Sequence, residues 1–260
     1  MKSVIILLLL FLFTGATRAQ EKHAIFSEIL KEYVVNSLVT YESLRNDSRL
    51  ETYLGQLSST NPDEISDEKE RLAFWINAYN AYTLKIVCDN YPLKSIKDLN
   101  TGGTIIAYAL KKTVWDKDFV VINNRKMTLN NIEHKIVRPI FKDPRAHFAL
   151  VCAARSCPPL RNEAYEGFKL DDQLNGQGRI FLNDINMNYF EPEKKIAHLS
   201  KILDWYGKDF GDSDEEILLF ITRFLPGDLA AAIRAEPKEW KIKHTKYDWS
   251  LNEWKAPDNN

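Results

Sequence analysis

A helix that is apolar on most of its faces limits what this chain can fold into more than any other feature. Asp67 followed by Glu70 is a capping-box signature, and it opens a helix running to about Cys88. Leu72, Trp75, Ile76, Tyr79, Thr83 and Ile86 trace one stripe along it, and Phe74, Asn77, Ala81, Leu84 and Cys88 trace a second. Two stripes bury most of a helix surface, so the rest of the chain must enclose this element. Asn77 and Asn80 lie on adjoining turns of it, and buried amides must be hydrogen-bonded. They either tie down neighbouring backbone, the commoner use, or line a polar pocket.

The flanks supply the enclosing elements. Residues 22–57 read as short helices, with Ile25, Ile29, Leu30 and Val34 at helical spacing, ended by the Asn61-Pro62 break. Phe119 to Ile122 and Lys126 to Leu129 flank Asn123-Asn124 as a hairpin, and a helix from Thr128 to Val137 follows, with Glu133 and His134 riding on it. His147 to Cys152 reads as a buried central strand. Residues 170–184 form a helix, 187–199 a hairpin through Glu191-Pro192, and 200–207, 213–224 and 226–235 three shorter helices; Trp240 to Trp249 reads as extended. The expected fold is α+β, one domain over residues 20–260 with a helical N-terminal extension (20–60), its long buried helix packed on a mostly antiparallel sheet.

Residues 1–19 set the compartment. Met1-Lys2 supplies a positive start, Val4 to Phe13 an apolar run, and Thr17 and Ala19 the small residues of a cleavage site. That run is about half of the roughly 20 residues a membrane span requires. The reading is a signal peptide, a protein without a stable membrane anchor after cleavage, and a periplasmic or secreted location. Of the 35 basic residues, Lys2 and Arg18 fall in the leader, which leaves 33 against 36 acidic and a net charge of −3. A nucleic-acid partner would require a basic face, so that class is excluded.

The chemistry concentrates in HFALVCAARSCPPL, residues 147–160. On a strand, His147 and Cys152 would point to opposite faces, leaving Cys152 as a core thiol. Cys157 precedes Pro158, which suits the first turn of a helix, and a sulfur capping a helix N-terminus has a lowered pKa. Cys157 is therefore the candidate nucleophile, with His147 or His134 as its base and Glu133, Asn77 or Asn80 as the orienting group. The competing reading is a Cys152–Cys157 disulfide, favoured in an exported chain. The five histidines are scattered and no ligand motif occurs, so neither a metal nor any other cofactor is expected.

RLAFWINAYNAYT (71–83), LNNIEHKIVRP (129–139), DPRAHFALVCAARSCPPLRNEAY (143–165), LDDQL (170–174), ILDWYGKDF (202–210) and YDWSLN (247–252) together resemble DUF547, a family of unknown function with many exported bacterial members. The resemblance singles out Trp75, Asn77, Asn80, Glu133, His134, His147, Cys152, Ser156, Cys157 and Arg161, and implies an architecture similar to cysteine-peptidase-like thiol hydrolases. Cys157, His147, His134 and Glu133 are then the catalytic candidates, and Asn77, Asn80, Trp75, Arg161 and Ser156 the binding ones. The expected activity is thiol-dependent hydrolysis or acyl transfer at an amide or ester. The alternative is a non-catalytic module holding a peptide or glycan against Trp75, Tyr79, Tyr82, Trp115 and Trp249, with Cys152 and Cys157 joined.

Overall fold

The structure, a computed structural model, describes residues 22–102, 110 and 112–256. The leader read at residues 1–19 lies outside them. Helices α1 (Ala24–Tyr33), α2 (Tyr41–Leu44) and α3 (Ser48–Ser59) form the N-terminal part, with the short ladder β1 (Val34–Val35) and β2 (Leu38–Val39) between the first two. The long helix α4 (Glu68–Asp89) follows, capped by the Asp67 carboxylate, which accepts the Glu70 N–H at 2.8 Å. An unbroken run from Leu72 to Leu84 is buried on it, as the double stripe requires.

Further α-helices among the described residues are α5 (Leu129–Asn131), which runs on as a π-helix over Ile132–Phe141, α6 (Leu170–Leu182), α7 (Ile202–Trp205), α8 (Gly207–Phe210), α9 (Asp214–Ile221) and α10 (Gly227–Ala235). Strands β3 (Val120–Ile122) and β4 (Arg125–Met127) form the expected hairpin, Asn123 and Asn124 taking φ of 49° and 55° as its two-residue turn demands. Strands β5 (Tyr189–Glu191) and β6 (Ile196–Leu199) are antiparallel, and β7 (Lys241–His244) joins β6 in parallel.

The fold is α+β, but among the described residues the strands lie in three small sheets rather than one, and α4 is enclosed by helices and irregular segments. One apolar cluster surrounds α4; a second gathers Phe148, Phe181, Leu199, Ile221 and Trp240, and Tyr247 packs against both. Among the described residues no helix is long and apolar enough to cross a membrane.

The expected strand at 147–152 does not form. Asp143 accepts the Arg145 N–H at 2.9 Å, Pro144 takes the first helical position, and a 3-10 turn, Pro144–Phe148, results. Ala149 and Leu150 close that turn onto the Ala146 carbonyl, which leaves no extended backbone to pair. Nor does a helix follow Pro158, so Cys157 caps nothing; its N–H instead meets the Ala154 carbonyl at 3.0 Å in a tight loop. The C-terminal tail clamps that loop. Arg155 and Ser156 donate to the Ser250 and Asp248 carbonyls, Asn252 donates to Ala153 and accepts from Val39, and Leu251 donates to Lys94.

Candidate functional site

A cleft of about 1050 Å³ opens between the π-helical continuation of α5, the cysteine loop, the α7–α8 corner and the tail. All four catalytic candidates line it: Glu133, His134, His147 and Cys157. Cys152 lines it too, because a 3-10 turn and loop replace the alternating strand that would have turned it away from His147.

None of the five binding candidates is among its lining residues. The Asn77 amide pairs with the backbone of Tyr165, donating at 2.8 Å and accepting at 2.9 Å. Asn80 does the same across the cysteine segment, donating to the Ala149 carbonyl and accepting from the Val151 N–H, both at 2.9 Å. Trp75 lies in the core edge-on to Phe74, Arg161 pairs with Glu163, and the Ser156 hydroxyl accepts the Asp248 N–H at 2.8 Å. Buried amides on a central helix have backbone within reach on every side, and pairing with it removes an unmet polar group.

His147 is the most tightly placed of the four. Its ring lies 4.1 Å from that of Tyr206 and 5.5 Å from that of Phe210, and it is 4% exposed. Its Nε2 is 2.6 Å from the Asp209 carboxylate, which can only accept when ionised, so Nε2 carries the proton and Nδ1 is left as the basic nitrogen. Arg138 meets the same carboxylate at 2.6 and 2.9 Å. The hydrogen bonds from His147 and Arg138 outweigh partial burial and hold Asp209 well below the ordinary carboxylate range. Through Nη1, Arg138 also donates to His134 Nδ1 at 3.0 Å, which places the proton of neutral His134 on Nε2.

Glu133 and His134 point to different partners, as neighbours on a helix must. Burial first, then the nearby charge of Glu133, raises the hydroxyls of Tyr79 and Tyr206 far above their usual range, so both stay protonated. The opposite wall is aromatic: the rings of Trp205 and Trp249 are 5.8 Å apart and inclined by 24°, Tyr247 lies within 4.8 Å of both, and Trp115 meets Trp249 at 6.1 Å. Of the aromatic residues expected to touch a ligand, Tyr79, Trp115 and Trp249 line the cleft, whereas Trp75 and Tyr82 are core.

Cys157 is joined to Cys152, and at 3% exposure it forms part of the cleft wall rather than a free thiol. Its Sγ accepts the Cys152 N–H at 2.7 Å, and the Tyr247 hydroxyl donates to Cys152 Sγ at 3.2 Å. Ala153, between them, holds a left-handed φ of 61°, a conformation that costs a non-glycine residue about 1–2 kcal/mol. The backbone N–H groups of Ser156 and Cys157 are both taken by carbonyls, so neither is left to bind an oxyanion. Cys88 is the remaining cysteine, a buried thiol in α4 whose pKa burial pushes up to about 12.

Sequence reasoning missed Arg138, Trp205, Tyr206, Asp209 and Tyr247. The signal for two of them was present in ILDWYGKDF, where Tyr206 and Asp209 stand three apart and so share one face of a helical turn.

The family model DUF547, described as a protein of unknown function, matches residues 62–182. No curated protein and no solved structure matches the chain. The matched stretch holds Glu133, His134, Arg138, His147 and both cleft cysteines; Tyr206, Asp209, Tyr247 and Trp249 lie beyond it.

Proposed function

The chain belongs, through residues 62–182, to the DUF547 family, and we propose that it is a thiol hydrolase or acyl transferase acting on an amide or ester of an extended peptide or glycan outside the cytosol. The observation that carries this reading is that His147, held by Asp209 through Nε2, lines the same cleft as Cys157. A cysteine nucleophile requires a base, and the base requires a third group to fix its tautomer. Asp209 meets that last requirement, since its carboxylate lies 2.6 Å from His147 Nε2, whereas no hydrogen bond joins Glu133 to His147.

The reaction begins with reduction. A dithiol reductant gives two electrons and two protons to the Cys152–Cys157 bond and is itself oxidised to a disulfide. His147 Nδ1 then takes the Cys157 proton, and the thiolate, steadied by the Cys152 N–H, attacks the substrate carbonyl. The imidazolium returns the proton to the leaving amine or alcohol, an acyl-enzyme forms, and water or an acceptor nucleophile, deprotonated by His147, releases the acyl group. The aromatic wall of Trp205, Tyr247 and Trp249 offers flat apolar faces for a sugar ring or peptide side chains.

The disulfide supports a second reading, a binding module in which the bond braces the cleft and no reaction occurs. Iodoacetamide labelling across pH, before and after mild reduction, separates the two. The hydrolase reading expects Cys157 to label well below the reference thiol pKa of about 8.5 once reduced, and His147→Ala to move that profile upward. Equal, ordinary labelling of both cysteines, with no change in the His147 variant, leaves the binding module.

A further inference from the structure

We infer that His23, Glu70 and Glu166 form a buried site for a divalent transition-metal ion, with Zn²⁺ the best match, separate from the cleft. The three side chains come from the residue capping α1, the first turn of α4 and the segment entering the 3-10 turn Gly167–Lys169. They are 5%, 7% and 0% exposed, and one ligand atom from each lies within 4.8 Å of the other two. None of them lines the cleft.

Two atoms carry the inference. His23 Nε2 and Glu70 Oε1 are buried, have no hydrogen-bond partner, and face each other across 3.7 Å. That gap is too long for a hydrogen bond. Two ligands each about 2.0–2.2 Å from one tetrahedral zinc ion stand roughly 3.3–3.6 Å apart, close to this separation. The other ring nitrogen, His23 Nδ1, is 2.7 Å from the Tyr53 hydroxyl, an outer partner that orients the imidazole and, when it accepts the Nδ1 proton, leaves Nε2 with the lone pair a metal needs.

The carboxylates are steadied from behind. Glu70 Oε2 accepts the Gly167 N–H at 2.8 Å, and the Glu166 oxygens accept the N–H groups of His23 and Lys22 at 2.9 and 3.2 Å. Gly167 makes this closeness possible, since a Cβ there would fall 2.7 Å from Glu70 Cα. Burying the Glu70 carboxylate with one oxygen unpartnered is costly without a compensating cation. Lys22 comes within 3.8 Å of Glu70, but its side chain is 60% exposed and its charge is screened by solvent. An imidazole nitrogen with two carboxylates suits zinc and its transition-metal neighbours better than Ca²⁺ or Mg²⁺, which prefer all-oxygen sets.

The test strips the protein with a chelator, reloads it with Zn²⁺ or Co²⁺, counts metal per chain after desalting, and measures Tm with the metal still in excess. The expected result is one ion per chain, a Tm rise of roughly 5–10 °C at hundred-fold excess over Kd, loss of the ion in Glu70→Gln, and its retention in His134→Ala. Retention in a folded Glu70→Gln variant, or loss in His134→Ala instead, overturns the site. The wild type decides alone if the variants fail to fold: if it takes up no stoichiometric Co²⁺ and its Tm does not rise, the metal site is wrong.

Discussion

At the scale of single residues, the polar groups of the cleft form a chain of contacts in which each holds the next. Arg138 holds Asp209, Asp209 holds His147 through Nε2, and Arg138 reaches back to His134. If His147 is the base, Asp209→Asn reverses its tautomer without altering its packing on Tyr206 and Phe210. The expected outcome is a fall of roughly 10³–10⁴-fold in kcat on an activated ester probe with the reduced enzyme, with an unchanged circular dichroism spectrum. A loss below tenfold would remove Asp209 from the mechanism. Cys157, His147, His134 and Glu133 were legible as residues because their chemistry is intrinsic to their type. Asp209 was not, since one aspartate among 36 acidic residues acquires its role only from what it touches.

Among the elements, α4 and the cysteine segment are joined by Asn80, whose amide makes both of its bonds to buried backbone. Asn80→Ala leaves a carbonyl and an N–H unmet, at roughly 1–3 kcal/mol for each unsatisfied group. Urea denaturation is expected to show a loss of about 2–4 kcal/mol, with the cleft cysteines more open to alkylation after reduction. Helix α3 offers a pH test. Hydrogen bonds from Arg49 hold the Asp47 carboxyl down to about 2, while Asp47 also caps the helix. A depressed carboxylate adds stability above its unfolded pKa of about 3.9 and loses it as pH falls through that value towards the folded one. Asp47→Asn keeps a cap but not the charge, so it is expected to be less stable than wild type by about 0.5–1 kcal/mol at pH 6 and equal to it near pH 2, by thermal unfolding at both. Hairpin β3–β4 and the capped start of α4 were readable because local turn and cap chemistry decides them. The false strand at 147–152 shows the limit: its apolar run suits any buried conformation, and Pro144 with the Asp143 cap selected the 3-10 turn.

Across the whole molecule, the C-terminal tail binds distant parts together. Residues 248–254 bond to the cysteine loop, to β2 and to Lys94, and the Tyr41 hydroxyl donates to Asn252 at 2.7 Å. The same tail delivers Tyr247 and Trp249 to the cleft. Deleting the chain from residue 247 onward is therefore expected to lower Tm by several degrees and to abolish binding of any ligand that quenches cleft tryptophan fluorescence. By itself the sequence determined the buried central helix, the α+β class, the main hairpins and the residue types of the catalytic candidates, because periodicity, caps and turn residues act over a few positions. Only the tertiary structure decided which polar groups face the cleft, that Cys157 bonds to Cys152, and that residues 23, 70 and 166 meet. Those outcomes depend on contacts between segments far apart in the chain, and on burial that removes competing water, neither of which local spacing encodes.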